Sequence, residues 1–162
     1  MMTASQLLAA HWDGTLPVDI DLIARRIGVE VRDLPLSGED RTISGKIEHP
    51  PEAHPVVWIN RSEAQVRQRF TLAHELGHYA LGHLRGTRKL LRDPAANFSS
   101  AGTGLVEREA NAFAASLLMP ANVARFAVHE KKVLDITRLA SGFNVSQAAM
   151  RFRLQNLGLL HG

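Results

Sequence analysis

His74, Glu75 and His78 stand in the order His-Glu-x-x-His inside a strongly helical stretch. Side chains four apart on a helix lie about 40° apart around it and roughly 6 Å along it, so two imidazoles at that spacing can reach one divalent ion. The carboxylate between them is the natural base for a metal-activated water. A shuffled chain with eight His and nine Glu would contain the pattern about one time in fifty, so its surroundings must add to the case.

A helix drawn from about Ser62 to His83, at about 100° per residue, spreads Val66, Phe70, Leu72, Ala73, Leu76, Tyr79, Ala80 and Leu81 over most of its circumference. Arg67, Thr71, His74, Glu75 and His78 share a single polar arc. A helix apolar on most sides is buried, and its polar stripe has to line a cleft or satisfy itself internally, because unpaired buried polar groups are costly. A bound cation removes that cost. A pair of solvated surface histidines would sit on a more polar helix.

Catalytic zinc usually takes three protein ligands and leaves one position open. The segment Leu105 to Pro120, LVEREANAFAASLLMP, reads as a second helix whose apolar arc carries Val106, Ala110, Phe113, Ala114, Leu117 and Leu118. Glu107 falls inside that arc, where a carboxylate without a partner would be costly, whereas Glu109 projects at its edge, within reach of water. Glu107 is therefore the expected third ligand, against the competing reading of a surface ion pair with Arg108 or Arg88. Asn111, one turn later on the same side, is placed to accept a hydrogen bond from a ligand imidazole. His83 projects about 180° from His74 on a continuous helix and is left out of the ligand set. The remaining histidines, 11, 49, 54, 129 and 161, have no partner spacing.

RQRFTLAHELGHYALGH (67–83) followed by EREANAFAASLLMP (107–120) resembles the ImmA/IrrE family of metallopeptidases, of the gluzincin group. The likeness extends upstream to PVDIDLIARRIGVEV (17–31), ISGKI (43–47) and VVWIN (56–60). It implies His74, His78 and Glu107 as zinc ligands, Glu75 as general base and Asn111 as support. It also implies a limited, site-specific cut in a protein, a helix-turn-helix repressor encoded nearby, that would switch on a mobile element or a stress response.

At 162 residues and 45% hydrophobic content the chain can bury one real core. It has no cysteine, which excludes disulfides and thiolate metal sites and fits a cytoplasmic location. No stretch approaches the roughly 20 apolar residues of a membrane span. A helix is expected over Asp19 to Ile27, ended by Gly28, with strands at Val29 to Asp33, Ile43 to Glu48 and Val56 to Asn60. The expected fold is α+β: a zincin-like domain over 1–120, with a small three-stranded sheet packed on the His-Glu-x-x-His helix, and a helical appendage over 121–162. An exposed sheet edge would hold an extended substrate across the metal. Residues 85–104 read as an irregular polar loop near the cleft mouth.

The appendage carries six Lys/Arg against two Asp/Glu, while 1–120 carry 13 against 14. Val133 to Ala140 and Ser146 to Asn156 read as two helices around the turn SGFN, a helix-turn-helix spacing capped by Ser146. Lys131, Lys132, Arg138, Arg151 and Arg153 could meet phosphate, yet Val145, Ala148, Ala149, Phe152 and Leu157 would bury one face. A packing or partner-docking role for these helices outweighs DNA binding. The leading expectation is a zinc endopeptidase, with Arg67 a candidate for stabilising the oxyanion. The alternative is a DNA-binding regulator, or one that sequesters a repressor or toxin, whose metal site is structural or inactive.

Overall fold

A computed structural model describes residues 1–84, 91–94 and 104–160 of the chain. Its elements run α1 (Ala4–His11), α2 (Ile20–Arg26), β1 (Glu30–Asp33), a short 3-10 turn over Gly38–Thr42, β2 (Ile43–Glu48), β3 (Val56–Ile59), α3 (Gln65–Ala80), β4 (Leu91–Pro94), α4 (Leu105–Leu118), α5 (Ala121–His129), α6 (Ile136–Phe143) and α7 (Gln147–Asn156). The architecture is the expected α+β arrangement. The three expected strands form, and the stretch 91–94 adds a fourth, giving the order β1-β3-β2-β4. β1 runs parallel to β3, and β2 runs antiparallel to both β3 and β4. Among the described residues the sheet edges are therefore β1 and β4. Most of the loop expected over 85–104 lies outside the described residues.

α2 forms where its signals predict: Asp19 accepts from the Leu22 amide at its start, and Gly28 takes φ 83° just past its end. α3 starts three residues later than the apolar periodicity suggests. Asn60 fixes that start, donating from Nδ2 to the Ile43 carbonyl and accepting from the Ser62 amide and hydroxyl, so the end of β3 is tied to β2 and the helix entry together. The Ser44 hydroxyl adds a bond to Glu63 at 3.0 Å.

One apolar cluster runs through the molecule. It joins Ile47, Val57 and Ile59 of the sheet to Leu72, Ala73 and Leu76 of α3, to Phe113, Ala114 and Leu117 of α4, and on to Leu139, Phe143, Met150 and Leu154. Two arginines reinforce the C-terminal join. Arg69 of α3 donates to the Asn144 and Phe143 carbonyls, and Arg153 of α7 donates to the Met119 carbonyl. Burial holds both guanidiniums below their ordinary pKa range; Asp21 and Asp19 oppose the shift at Arg69, and Arg125 adds to it at Arg153.

The C-terminal helices differ from expectation at their inner ends. α6 begins at Ile136, where Asp135 caps it, and continues through Ser141 and Gly142 to Phe143, so the residues read as a turn are its last turn. Asn144 makes the bend by adopting φ 53°, a left-handed conformation that asparagine tolerates. Ser146 caps α7 as expected, accepting from the Ala149 amide. The face of α7 read as buried is only partly so: Val145 is covered, but Ala148 is exposed and Phe152 keeps 45% of its surface open. Val106, placed on the apolar arc of α4, is also exposed. It lies in the first turn, beside Leu105, which is likewise exposed.

Candidate metal centre

α3 runs beneath β2 and beside α4, and its middle is sealed: Thr71, His74, Glu75 and His78 have no exposed surface. Gly77 permits the close pass of α4. A Cβ at that position would stand 3.1 Å from Phe113 Cδ1 and 3.2 Å from the Ala110 carbonyl oxygen. Gly45 plays the same part on the sheet side, where a Cβ would lie 2.5 Å from Thr71 Cγ2, 2.8 Å from the Trp58 carbonyl and 3.7 Å from Glu75 Oε1. Glu75 thus lies under β2, while the two imidazoles point toward α4.

Glu107, in the first turn of α4, reaches both rings. Its Oε2 lies 3.0 Å from His74 Nε2 and its Oε1 lies 3.4 Å from His78 Nε2. The two Nε2 atoms are 3.0 Å apart. A carboxylate at that end of a helix also meets the positive end of the macrodipole. Of the two arginines weighed against this placement as ion-pair partners, Arg88 lies outside the described residues.

The outer ring nitrogens fix the tautomers. Asn111 Oδ1 lies 2.8 Å from His74 Nδ1, and a carbonyl oxygen only accepts, so Nδ1 carries the proton and Nε2 presents a lone pair. His78 Nδ1 faces His83 Nδ1 at 2.9 Å, and His83 Nε2 lies 2.9 Å from Glu109 Oε2. The carboxylate accepts from His83 Nε2–H, which leaves His83 Nδ1 to accept from His78 Nδ1–H and turns a second lone pair inward. Two lone pairs and a carboxylate converging within 4.8 Å repel one another unless a cation or proton lies between them. Ligands bound tetrahedrally at about 2.0–2.1 Å sit roughly 3.3 Å apart, close to the separations here, so the donor set fits a small divalent ion.

His83 and Glu109 were not expected at the site. His83 stands outside the cluster of His74, His78 and Glu107, but it is not remote either. The 180° separation assumed that the helix continued, whereas α3 ends at Ala80 and Gly82 turns the chain at φ 77°. The readable signal was Gly82 itself, a common residue just past a helix end. Tyr79 packs against the core and stacks edge-on to His49, as its apolar direction suggested. Arg67 is half-buried and lines a groove beside Asn111.

The fold and this cluster define a zincin-like α+β domain with a site of two histidines and one carboxylate able to hold a metal ion. The model of the IrrE N-terminal-like domain, Peptidase_M78, matches residues 24–155, and the chain belongs to that family of peptidases. No curated protein matches the chain. No helix among the described residues is long and apolar enough to cross a membrane.

Proposed function

We propose that the chain is a zinc-dependent endopeptidase that makes a limited cut in a protein, with a helix-turn-helix repressor as the substrate the family resemblance implies. The observation that carries this reading is the meeting of Glu107, from a separate helix, with both imidazoles of the His-Glu-x-x-His turn. His74, His78 and Glu107 would hold the ion, and Asn111 would orient the His74 ring. Bound there, zinc supplies an acidified water and a polarised scissile carbonyl. Glu75 accepts the proton of the attacking water and delivers it to the leaving nitrogen. Its burial beneath β2 keeps bulk water from competing for that proton.

The test pairs wild type with Glu75→Gln. Both are loaded with zinc, checked for metal content, and incubated with a purified helix-turn-helix repressor encoded beside the gene. One discrete fragment from wild type alone supports the reading. An intact repressor in both tubes, or equal cutting by both proteins, overturns it. Full activity of Glu75→Gln in cells would instead favour a regulator acting by binding.

A further inference from the structure

The end of α3 delivers one residue back onto a proposed metal ligand. The Gly82 amide donates to the Tyr79 carbonyl and the His83 amide to the His78 carbonyl, with Gly82 at φ 77°, which together make a Schellman ending. That ending lays the second residue past the helix over the residue five positions back. Here the pair is His83 and His78, whose ring centroids lie 5.1 Å apart. Glu109 of α4 then meets the far nitrogen of His83 at 2.9 Å. Exposure falls along this line from 46% at the Glu109 side chain to 8% at His83 and 0% at His78. A surface carboxylate is thereby connected to a sealed imidazole through one intervening ring. We propose that Glu109 is a positioning residue for the metal: it selects the tautomer of His83 and, through it, keeps the Nε2 lone pair of His78 turned toward Glu107 and His74.

The direction of each hydrogen bond carries the selection. A carboxylate oxygen only accepts, so His83 keeps its proton on Nε2 and offers Nδ1 as an acceptor to His78 Nδ1–H, 2.9 Å away. In the opposite tautomer an N–H of His83 would face an N–H of His78. His78 would then have to carry its proton on Nε2, where it blocks the inward lone pair, or break the contact. Asn111 makes the same choice for His74 in one step, its amide oxygen accepting at 2.8 Å. Glu109 makes it for His78 in two, and both acceptors stand on α4. The helix therefore serves His78 from both sides, since Glu107 Oε1 lies 3.4 Å from Nε2 on the inside. This role for Glu109 rests on the metal-binding part of the function proposed above and not on peptide cleavage.

The experiment measures zinc affinity of the full-length protein by competition with a chromophoric chelator, with circular dichroism to confirm the fold. Glu109→Gln and Glu109→Lys fall at an exposed helical position that tolerates either side chain. Glutamine still offers an oxygen that accepts from His83 Nε2–H and should stay within about threefold of wild type. Lysine only donates, and should weaken zinc binding by about tenfold, the lower end of the range for lost outer hydrogen bonds. Plain repulsion between lysine and the ion would survive removal of the imidazole, whereas tautomer selection would not. In a His83→Ala background the lysine should therefore add less than about twofold. Long-range proton–nitrogen spectra of the zinc-free protein with isotope-labelled histidine should show His83 protonated on Nε2 in wild type and on Nδ1 in Glu109→Lys. Wild-type zinc affinity in Glu109→Lys, a glutamine variant as weak as the lysine variant, an equal lysine effect without His83, or a proton on His83 Nδ1 in wild type each overturns the assignment. A wild type that binds no zinc removes the metal reading itself and the role of Glu109 with it. Zinc affinities as expected beside an intact repressor support the assignment and sink cleavage alone.

Discussion

Replacing His83 with alanine tests whether the chain Glu109–His83–His78 orients a metal ligand. The substitution removes the acceptor 2.9 Å from His78 Nδ1 and leaves Glu109 without its imidazole. His78 itself has no exposed surface, so its Nδ1–H must find another partner or turn the ring. Loss of such an outer hydrogen bond costs about 10–100-fold in metal affinity, or about 1.4–2.7 kcal/mol. The His83 side chain is 8% exposed and adjoins Glu109 at 46%, so water can enter the vacated space and restore part of the bond. The expected loss is therefore at the lower end, about tenfold. His83→Gln keeps an oxygen acceptor and should stay within roughly threefold of wild type. Competition with a chromophoric zinc chelator at pH 7.5, with circular dichroism to confirm the fold, measures both variants. An alanine variant that binds zinc like wild type, or a glutamine variant as weak as alanine, would show that His83 does not position His78.

The remaining predictions concern packing and metal linkage. Gly77→Ala gains about 1 kcal/mol of helix propensity but forces contacts of 3.1–3.2 Å onto Phe113 and the Ala110 backbone. Overpacking at about 1–3 kcal/mol outweighs that gain, so its melting temperature should fall by roughly 2–4 °C and zinc affinity should drop with it. Gly45→Ala meets backbone at 2.8 Å and Thr71 at 2.5 Å, and should cost about 1–3 kcal/mol or more in urea denaturation; a neutral result would mean that β2 lies farther from α3. Zinc at about 100 times its Kd should stabilise the protein by about 2.7 kcal/mol, raising the melting temperature by roughly 5–10 °C in calorimetry, and Glu107→Gln should lose most of that rise.

What the sequence reveals about the site follows from one rule: polar groups on an apolar helix face must have a partner. Applied to the helix of the His-Glu-x-x-His spacing it supported His74 and His78, and on α4 it singled out Glu107, without knowledge of how the helices pack. It failed where local backbone decided the outcome. Gly82 bends the chain after α3 and carries His83 back to His78, which no helical projection can show. The periodicity of α7 was sound, but periodicity cannot say whether an apolar face meets the core or an open groove, and here Phe152 meets the groove. β4 escaped notice because its residues, LRDP, carry no alternating pattern and pair only with a strand already in place. α1 carried a readable signal, the capping box of Thr3 and Gln6, but like α5 it is short, and both bury residues such as Leu7 and Ala124 in the apolar cluster.

The spacing of Glu107 and Asn111 has a consequence that neither residue has alone. They stand four apart on α4, and both act on the ring of His74, with Glu107 Oε2 3.0 Å from Nε2 and Asn111 Oδ1 2.8 Å from Nδ1. A slide of α4 along α3 would break both contacts to His74 together, so the arrangement tolerates little error in helix packing. Gly77 sets that packing by allowing α4 to approach α3 where Phe113 and Ala110 cross it. The glycine inside the His-Glu-x-x-His turn is thus part of the candidate metal site although it offers no ligand atom. An ion that joins His74 and His78 to Glu107 ties α3 to α4 in return, which makes metal affinity and helix docking two measurements of the same contact.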